Sequence, residues 1–317
     1  MKKMKTKSDY ELLKSMCAIH APSGNEVAMK DFVLDYIKTH VKSWKHQPKI
    51  YAGKDFQDNI ILVFGKPRTA VFAHMDSIGF TVRYGNQLVK IGGPVLKEGT
   101  KLIGLKDEKW HDASLHIALN KDKSLKGLEY VSDVLFDTGT ELTYKPNWRE
   151  DKDFVQCCYM DNRLGVYNAL RLAETMKDGA LVFSTWEEHG GGSVAYLQKF
   201  LAEKYGIRQG LISDISWISD GVHFGKGPVI SMRDSLIPRK SFIRRIIDIA
   251  KKHACAYQLE VEGSGGSDAK ELQMAAFPWD WCFIGAAEEN VHTPDEKVHK
   301  KDIENMIALY KVLLKAL

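Results

Sequence analysis

Two histidines and a set of carboxylates stand at turns that follow apolar runs, and their types and order point to metal-assisted hydrolysis. In Ala73-His-Met-Asp-Ser-Ile-Gly79 an imidazole leaves an apolar run with a carboxylate two residues on. His74 is thereby placed to ligate a metal while Asp76 fixes its tautomer and orientation from behind. Met160-Asp-Asn-Arg-Leu-Gly165 puts Asp161 at a strand-to-helix junction, where one carboxylate is able to bridge two cations through its two oxygens. Trp186-Glu-Glu-His-Gly-Gly-Gly192 places Glu187 and Glu188 side by side at the end of a buried strand, where unpaired charge is costly and a cation is needed. One of the two would bind metal and the other would keep its proton affinity and act as general base. Ser213-Asp-Ile-Ser-Trp-Ile-Ser-Asp220 offers Asp214 at a strand end and Asp220 six residues later, with Asp214 the preferred ligand. Asn290-Val-His-Thr-Pro294 brings a second imidazole, His292.

Taken singly, each cluster has an ordinary explanation. His74 and His292 read as loop histidines, Asp161 as a helix N-cap, and the glutamate pair as exposed loop carboxylates, although the three glycines that follow permit close backbone approach to a ligand. Taken together, two histidines and three or four carboxylates at successive strand ends fit a binuclear Zn²⁺, Mn²⁺ or Co²⁺ site better than scatter does. Compact motifs are missing: there is no His-Glu-x-x-His, Glu188-His189 lacks the upstream histidine of the inverted form, and no Gly-x-Ser-x-Gly elbow occurs. Gly263-Ser-Gly-Gly-Ser-Asp268 reads as a helix cap, and Gly225-Lys-Gly-Pro228 is too short to cradle phosphates.

The elements that must gather such distant residues follow from the apolar pattern. Residues 8–40 carry helical spacing, broken by Ala21-Pro-Ser-Gly-Asn-Glu26, in which Ser23 and Glu26 have capping-box spacing. Asn59–Phe64 and Thr69–Ala73 are short β-branched runs that read as buried strands. Residues 80–155 change to short alternating stretches separated by Gly, Asp and Lys turns, the pattern of a small all-β barrel insertion. From Phe154 the α/β rhythm returns: a strand Phe154–Met160, a helix with Val166, Ala169, Leu170, Ala173 and Met176 on one face, then strands at Leu181–Thr185, Leu211–Ser213, Val229–Met232 and Trp281–Ile284. Helices are expected near 193–204 and 239–254, and a last one carries the stripe Ile303, Met306, Ile307, Tyr310, Leu313, Leu314 and Leu317. The expectation is an α/β fold, a mostly parallel sheet with helices on both faces. It is divided into a catalytic domain at 1–79 and 156–317 and an insertion at 80–155, with functional loops at the strands' carboxyl ends.

At 317 residues, 44% hydrophobic and 27% charged, the chain is long enough for a substantial core and has no tract of disordered composition. Its net charge of only +4, with lysines scattered apart from Met1–Lys7, argues against nucleic acid as a partner. No apolar run reaches membrane-spanning length and no signal-peptide pattern opens the chain, so a cytoplasmic location is expected. Five cysteines without a Cys-x-x-Cys pair make neither a disulfide framework nor a thiolate zinc site, and the adjacent Cys157 and Cys158 read as buried structural residues.

In order and spacing the clusters resemble the M42 family of metallo-aminopeptidases, zinc-exopeptidase-like enzymes that include glutamyl and tetrahedral aminopeptidases. The resemblance runs from Ala21-Pro-Ser-Gly-Asn-Glu26 through His74-Met-Asp76, Asp161-Asn-Arg-Leu-Gly165, Glu187-Glu188, Asp214 and Gly265-Gly-Ser-Asp-Ala269 to His292. It implies Asp161 as the bridging ligand, His74 and Asp214 on one metal, Glu188 and His292 on the other, and Glu187 as general base. It also implies two divalent ions, Zn²⁺ foremost with Co²⁺ or Mn²⁺ as alternatives, peptide substrates cut from the free amino end, and homo-oligomers assembled through the insertion. The chain departs from the family pattern at Ser77, at His189 and at Gly190-Gly-Gly-Ser193, positions that bear on substrate preference and assembly and leave the ligands intact. The competing readings are a related enzyme acting on small N-acyl amino acids and a non-catalytic binding protein on the same fold.

Overall fold

Alternation of apolar strands with amphipathic helices produces a single eleven-stranded sheet in the computed structural model, which describes residues 10–317. The lysine-rich Met1–Lys7 lies outside the described residues. At the centre of the sheet are four parallel strands in the order Gly179–Ser184, Thr69–His74, Gln209–Trp217 and Asp280–Glu289. Towards both edges the pairing turns antiparallel: Gln57–Phe64 and Lys49–Gly53 on one side, Lys297–His299, Phe154–Gln156 and Arg149–Glu150 on the other. Parallel neighbours need a long crossover; at the two edges, Lys49–Gly53 with Gln57–Phe64 and Arg149–Glu150 with Phe154–Gln156 are joined by short connections that admit only the antiparallel arrangement. A side branch, Val229–Arg233 with Gln258–Val261, hangs on Asp280–Glu289.

Because successive strand residues point to opposite faces, the strands feed two cores at once. Ile60, Leu62, Phe64, Val71, Leu181 and Phe183 belong to the larger core, with the helices Glu11–Cys17, Val27–His40, Met160–Ala173, Lys240–Lys252 and Lys300–Ala316. Their alternates Ile61, Val63, Ala70, Phe72 and Val182 pack with Val194, Leu197 and Leu201 of the helix Ser193–Tyr205 and with Leu272 of the short helix Ala269–Gln273. In the last helix the expected stripe is buried or half-buried, and the Tyr310 hydroxyl sits 2.8 Å from the carbonyl oxygens of both Ile212 and Ile284, between two central strands. Among the described residues no helix is long and apolar enough to cross a membrane.

Six strands between Gly79 and Tyr144 close into a barrel whose inward residues, among them Phe80, Leu102, Leu115, Leu128 and Leu142, merge with the larger core. The barrel leaves the sheet directly after His74-Met-Asp76 and so sits over the carboxyl ends of the central strands.

Local details differ from the sequence expectations in informative ways. The strand foreseen at Phe154–Met160 stops at Gln156, since Cys157–Tyr159 form the corner into the helix. The strand foreseen at Leu211–Ser213 runs to Trp217, because its register with Asp280–Glu289 continues unbroken from Gln209↔Asp280 to Trp217↔Glu288. Ser23 and Glu26 form no capping box: the Ser23 hydroxyl donates to Asp76 Oδ2 at 2.6 Å, and Glu26 Oε1 accepts from the Gly24 and Trp186 backbones. Tertiary partners outcompete the local cap because both residues are packed beneath the site.

Gly165 marks where the helix Met160–Ala173 is pressed onto the central sheet. A Cβ there would overlap the Ser213 carbonyl oxygen and the Asn162 side chain, and Asn162 is the residue that ties the helix start to the strand by donating to Ser213 O at 2.9 Å. Gly165→Ala is therefore expected to lower stability by about 1–3 kcal/mol through overpacking, measured as a shift of the urea midpoint; an unchanged midpoint would show that the helix has room to move.

Candidate metal centre

Each candidate side chain is delivered by a different element. His74 is the last residue of its strand, Asp214 lies near the end of the neighbouring strand, and Glu187 and Glu188 follow Ser184 on the other side. Asp161 enters at the start of its helix and His292 from the loop after Asp280–Glu289. Tyr159, Trp186 and His292 all have left-handed backbones, with φ of 68°, 65° and 62°. Such conformations are uncommon away from glycine and turn side chains sharply at functional corners.

These corners converge. Asp161 Oδ1 lies 3.2 Å from His74 Nε2, and its other oxygen, Oδ2, lies 3.2 Å from His292 Nε2. His74 Nε2 is also 3.7 Å from Asp214 Oδ2 and 3.8 Å from Glu187 Oε2, while His292 Nε2 is 3.2 Å from Glu188 Oε2. Two groups result, His74 with Asp214 and Glu187, and His292 with Glu188, and Asp161 belongs to both. Donor atoms of His74, Asp161 and Glu188 lie within 4.8 Å of one another. Asp220, the alternative to Asp214, is exposed and lines no part of the site.

The donor set fits cations better than it fits itself. Asp161, Glu187, Glu188 and Asp214 line one cleft of about 280 Å³ with only His292 as a basic neighbour in its wall, and Glu188 Oε1 is buried without a hydrogen-bond partner. Four carboxylates with neutral imidazoles would be balanced in charge by two divalent ions. Without metal, protons take that role. Burial by itself would lower the histidines, but Glu187, Asp161 and Asp76 hold His74 well above its usual range, and Asp161 and Glu188 push His292 up to about 12. Burial, reinforced by neighbouring carboxylates, pushes Glu187 and Asp214 well up and Glu188 up as well, whereas the two histidines overcome burial and hold Asp161 down.

A second layer of buried groups fixes this arrangement. Asp76 accepts from the backbone N–H groups of Glu187 at 3.1 Å and Glu188 at 3.0 Å, so it positions the glutamate pair. Its Oδ1 also lies 3.3 Å from His74 Nδ1, a distance suited to charge attraction although the two are not aligned for a hydrogen bond. On the other histidine, Nδ1 is 3.1 Å from the Gly93 carbonyl oxygen of a barrel loop, which sets the tautomer that leaves Nε2 facing Asp161 and Glu188. The hydroxyl of Tyr144, from the barrel strand Glu141–Tyr144, lies 3.0 Å from the His292 carbonyl oxygen and anchors that loop. Glu296 completes the layer, accepting from the His292 and Asp161 backbones at 2.9 and 3.2 Å.

Sequence reasoning missed Glu26, Glu288 and Glu296. Glu288 is 1% exposed with neither oxygen partnered, and burial beside Glu296 and Asp161 pushes its carboxyl well up. The available signal was Glu288-Glu289 at the end of a buried strand, the same feature that drew attention to Glu187-Glu188.

The sequence pattern of the M42 glutamyl aminopeptidase family matches residues 106–309, about two thirds of the chain. The chain belongs to the M42 glutamyl aminopeptidase family. Members of the M42 family are metal-dependent aminopeptidases, and this protein is accordingly a peptide hydrolase. The matched region contains Asp161, Glu187, Glu188, Asp214 and His292, while His74 precedes it. Among curated proteins the chain is similar to a lysyl aminopeptidase of Pyrococcus furiosus, 24% identical over 98% of this chain and 97% of that one. The fold is shared with an aminopeptidase from the archaeon Desulfurococcus kamchatkensis, at 21% identity and TM-score 0.84 over 97% of this chain and 94% of that one. It is also shared with the Pyrococcus horikoshii TET1 peptidase, at 23% identity and TM-score 0.79 over 97% and 99% of the two chains; that protein assembles into a tetrahedron or a large octahedral shell.

Because the metal-free M42 site holds its histidines charged, ligation has to expel protons. Raised histidine values mean that affinity for Zn²⁺ or Co²⁺ falls as pH falls and keeps rising with pH above the ordinary imidazole range, towards the value of about 12 to which His292 is pushed. Calorimetric titration in buffers of different ionisation enthalpy should show net proton release; binding with none would mean that the imidazoles are neutral beforehand or do not ligate.

Proposed function

We propose that this M42 protein is a two-metal aminopeptidase that removes N-terminal residues from peptides, with His74 and Asp214 holding one divalent ion, Glu188 and His292 the other, and Asp161 bridging them. The observation that supports this ligand set best is Asp161, whose two oxygens face two different histidines at the same 3.2 Å. Zn²⁺ suits imidazole and carboxylate donors, with Co²⁺ and Mn²⁺ as alternatives. Two such ions, when bound, polarise a scissile carbonyl, acidify a water molecule towards a pKa of about 7 and offset developing negative charge.

The chain's own residues supply the proton chemistry and the geometry. Glu187 lines the cleft, ligates neither ion in this scheme, and has its proton affinity raised by burial and by Glu188, Asp214 and Asp268 although His74 works against them. A carboxylate tuned upward in this way takes a proton from water and passes it to the leaving amine. Asp76 holds the backbone of Glu187 and Glu188 so that one carboxylate serves as ligand and the other as base. The substrate's free α-amine sits among the cleft carboxylates, which limits cleavage to one residue at a time. Within the same reading, 1–79 and 156–317 form the catalytic domain and 80–155 the insertion, through which copies of the chain assemble, although its last strands, Arg149–Glu150 and the start of Phe154–Gln156, already pair into the central sheet. The enzyme works in the cytoplasm, in keeping with five free cysteines among the described residues.

Glu187→Gln should abolish turnover of amino-acid anilides while two metals per chain remain by elemental analysis; near-parental kcat would reject the assignment of the base. His292→Ala should lower metal content and affinity, and a metal count equal to the parent's would remove His292 from the ligand set.

A further inference from the structure

The cleft continues past the metal centre into a second acidic region that the proposed hydrolysis does not use. Its far wall is formed by Asp234, Glu260 and Glu262, with Phe283 and Trp217 alongside and no lysine or arginine in the lining. Asp234 is 8% exposed and Glu260 7% exposed. Asp234 Oδ1 accepts from the Leu236 N–H at 2.6 Å, and among the described residues its Oδ2 has no partner. Glu260 accepts from the Ser216 hydroxyl. Among the described residues none of the three forms an ion pair; Arg233, next in the chain, gives its Nε proton to the Asp234 carbonyl oxygen and not to the carboxylate. Carboxylates this buried need a cation or a proton, and among the described residues the protein offers only the through-space charge of Arg233 to Asp234, without an ion pair.

The spacing says where that cation comes from. Ser216 is two residues beyond Asp214 on the same strand, so both side chains leave the same face about 7 Å apart. A residue whose α-amine and carbonyl lie at the metal centre would extend its side chain along that interval. Phe283 and Trp217 would flank the stem, and the carboxylates would meet its end. A four-carbon stem with a terminal ammonium, or the similar length of an arginine, matches both the reach and this change from apolar to acidic lining. Trp217 itself packs against Gly265, whose backbone φ of 88° is a left-handed conformation that favours glycine.

The geometry points to a specificity pocket for a cationic N-terminal residue: Asp234 and Glu260, with Glu262 at the rim, select peptides that begin with lysine or arginine. This rests on the aminopeptidase reading above and adds the substrate class to it.

The test is the metal-reconstituted full chain assayed on anilides of lysine, arginine, glutamate and norleucine, the last being lysine's carbon chain without its ammonium. Lysine and arginine should exceed norleucine in kcat/KM by about tenfold or more, and the margin should shrink as salt is raised. Asp234→Asn and Glu260→Gln, each checked for folding and metal content, should lower the lysine-to-norleucine ratio. Norleucine or glutamate turned over as well as lysine by the parent protein overturns the pocket while leaving the aminopeptidase intact, and this comparison decides even if a variant fails to fold. A ratio unmoved in both folded variants also overturns it. Inert anilides throughout would overturn the aminopeptidase reading and the pocket together.

Discussion

Asp161 is held between two imidazoles, one on each of its oxygens, and most of the surrounding structure serves to keep it there. A buried carboxylate is stable only with its charge answered, and here the answer comes from residues more than eighty positions upstream and more than one hundred and thirty downstream. The helix that carries Asp161 must start at one depth above the sheet, which Gly165 and the Asn162 bond to Ser213 enforce. Its backbone N–H is taken by Glu296, which also holds the loop bearing His292. A change in any of these moves a ligand relative to its partners.

The concentration of acidic groups also sets a limit on how the site tolerates being empty. Asp161 stays low because both histidines stay charged, and Glu187, Asp214 and Glu288 rise because further negative charge has no partner. These opposed shifts favour holding protons within the cluster, and divalent ions, when bound, would take their place. The proton affinity that burial gives Glu187 would be tempered once cations sit beside it, which brings a strongly perturbed carboxyl towards the range useful for shuttling protons at neutral pH.

Much of this was legible in the sequence because a parallel sheet collects residues at strand ends whatever their separation in the chain. His74, Asp161, Glu187, Glu188, Asp214 and His292 could be singled out from apolar runs that end in polar clusters, and the barrel from the loss of helical spacing after Gly79. What could not be read was whatever depends on contact between clusters. Ser23 and Glu26 carry capping-box spacing, yet they are spent on Asp76 and on the Trp186 backbone. Gly93 and Tyr144 look like ordinary barrel residues, but they orient and anchor His292. The outer strands Lys49–Gly53 and Lys297–His299 are short and only partly buried, so their apolar signal is weak and only pairing defines them.

The division of labour between elements explains how such a site keeps its chemistry while changing its substrates. The proposed ligands and base lie on central parallel strands and on the helix and loops packed against them, where a displacement disturbs the shared core. The acidic far wall comes instead from the side branch Val229–Arg233 and Gln258–Val261, a strand pair attached to the sheet through only two registered positions of Asp280–Glu289. Glu260 touches the catalytic framework through Ser216, a single hydroxyl on the strand that carries Asp214. Substitutions on that branch alter the charge and depth of the pocket without shifting the residues around Asp161. Cleavage chemistry and side-chain preference are therefore set by separate parts of the fold that meet along one strand.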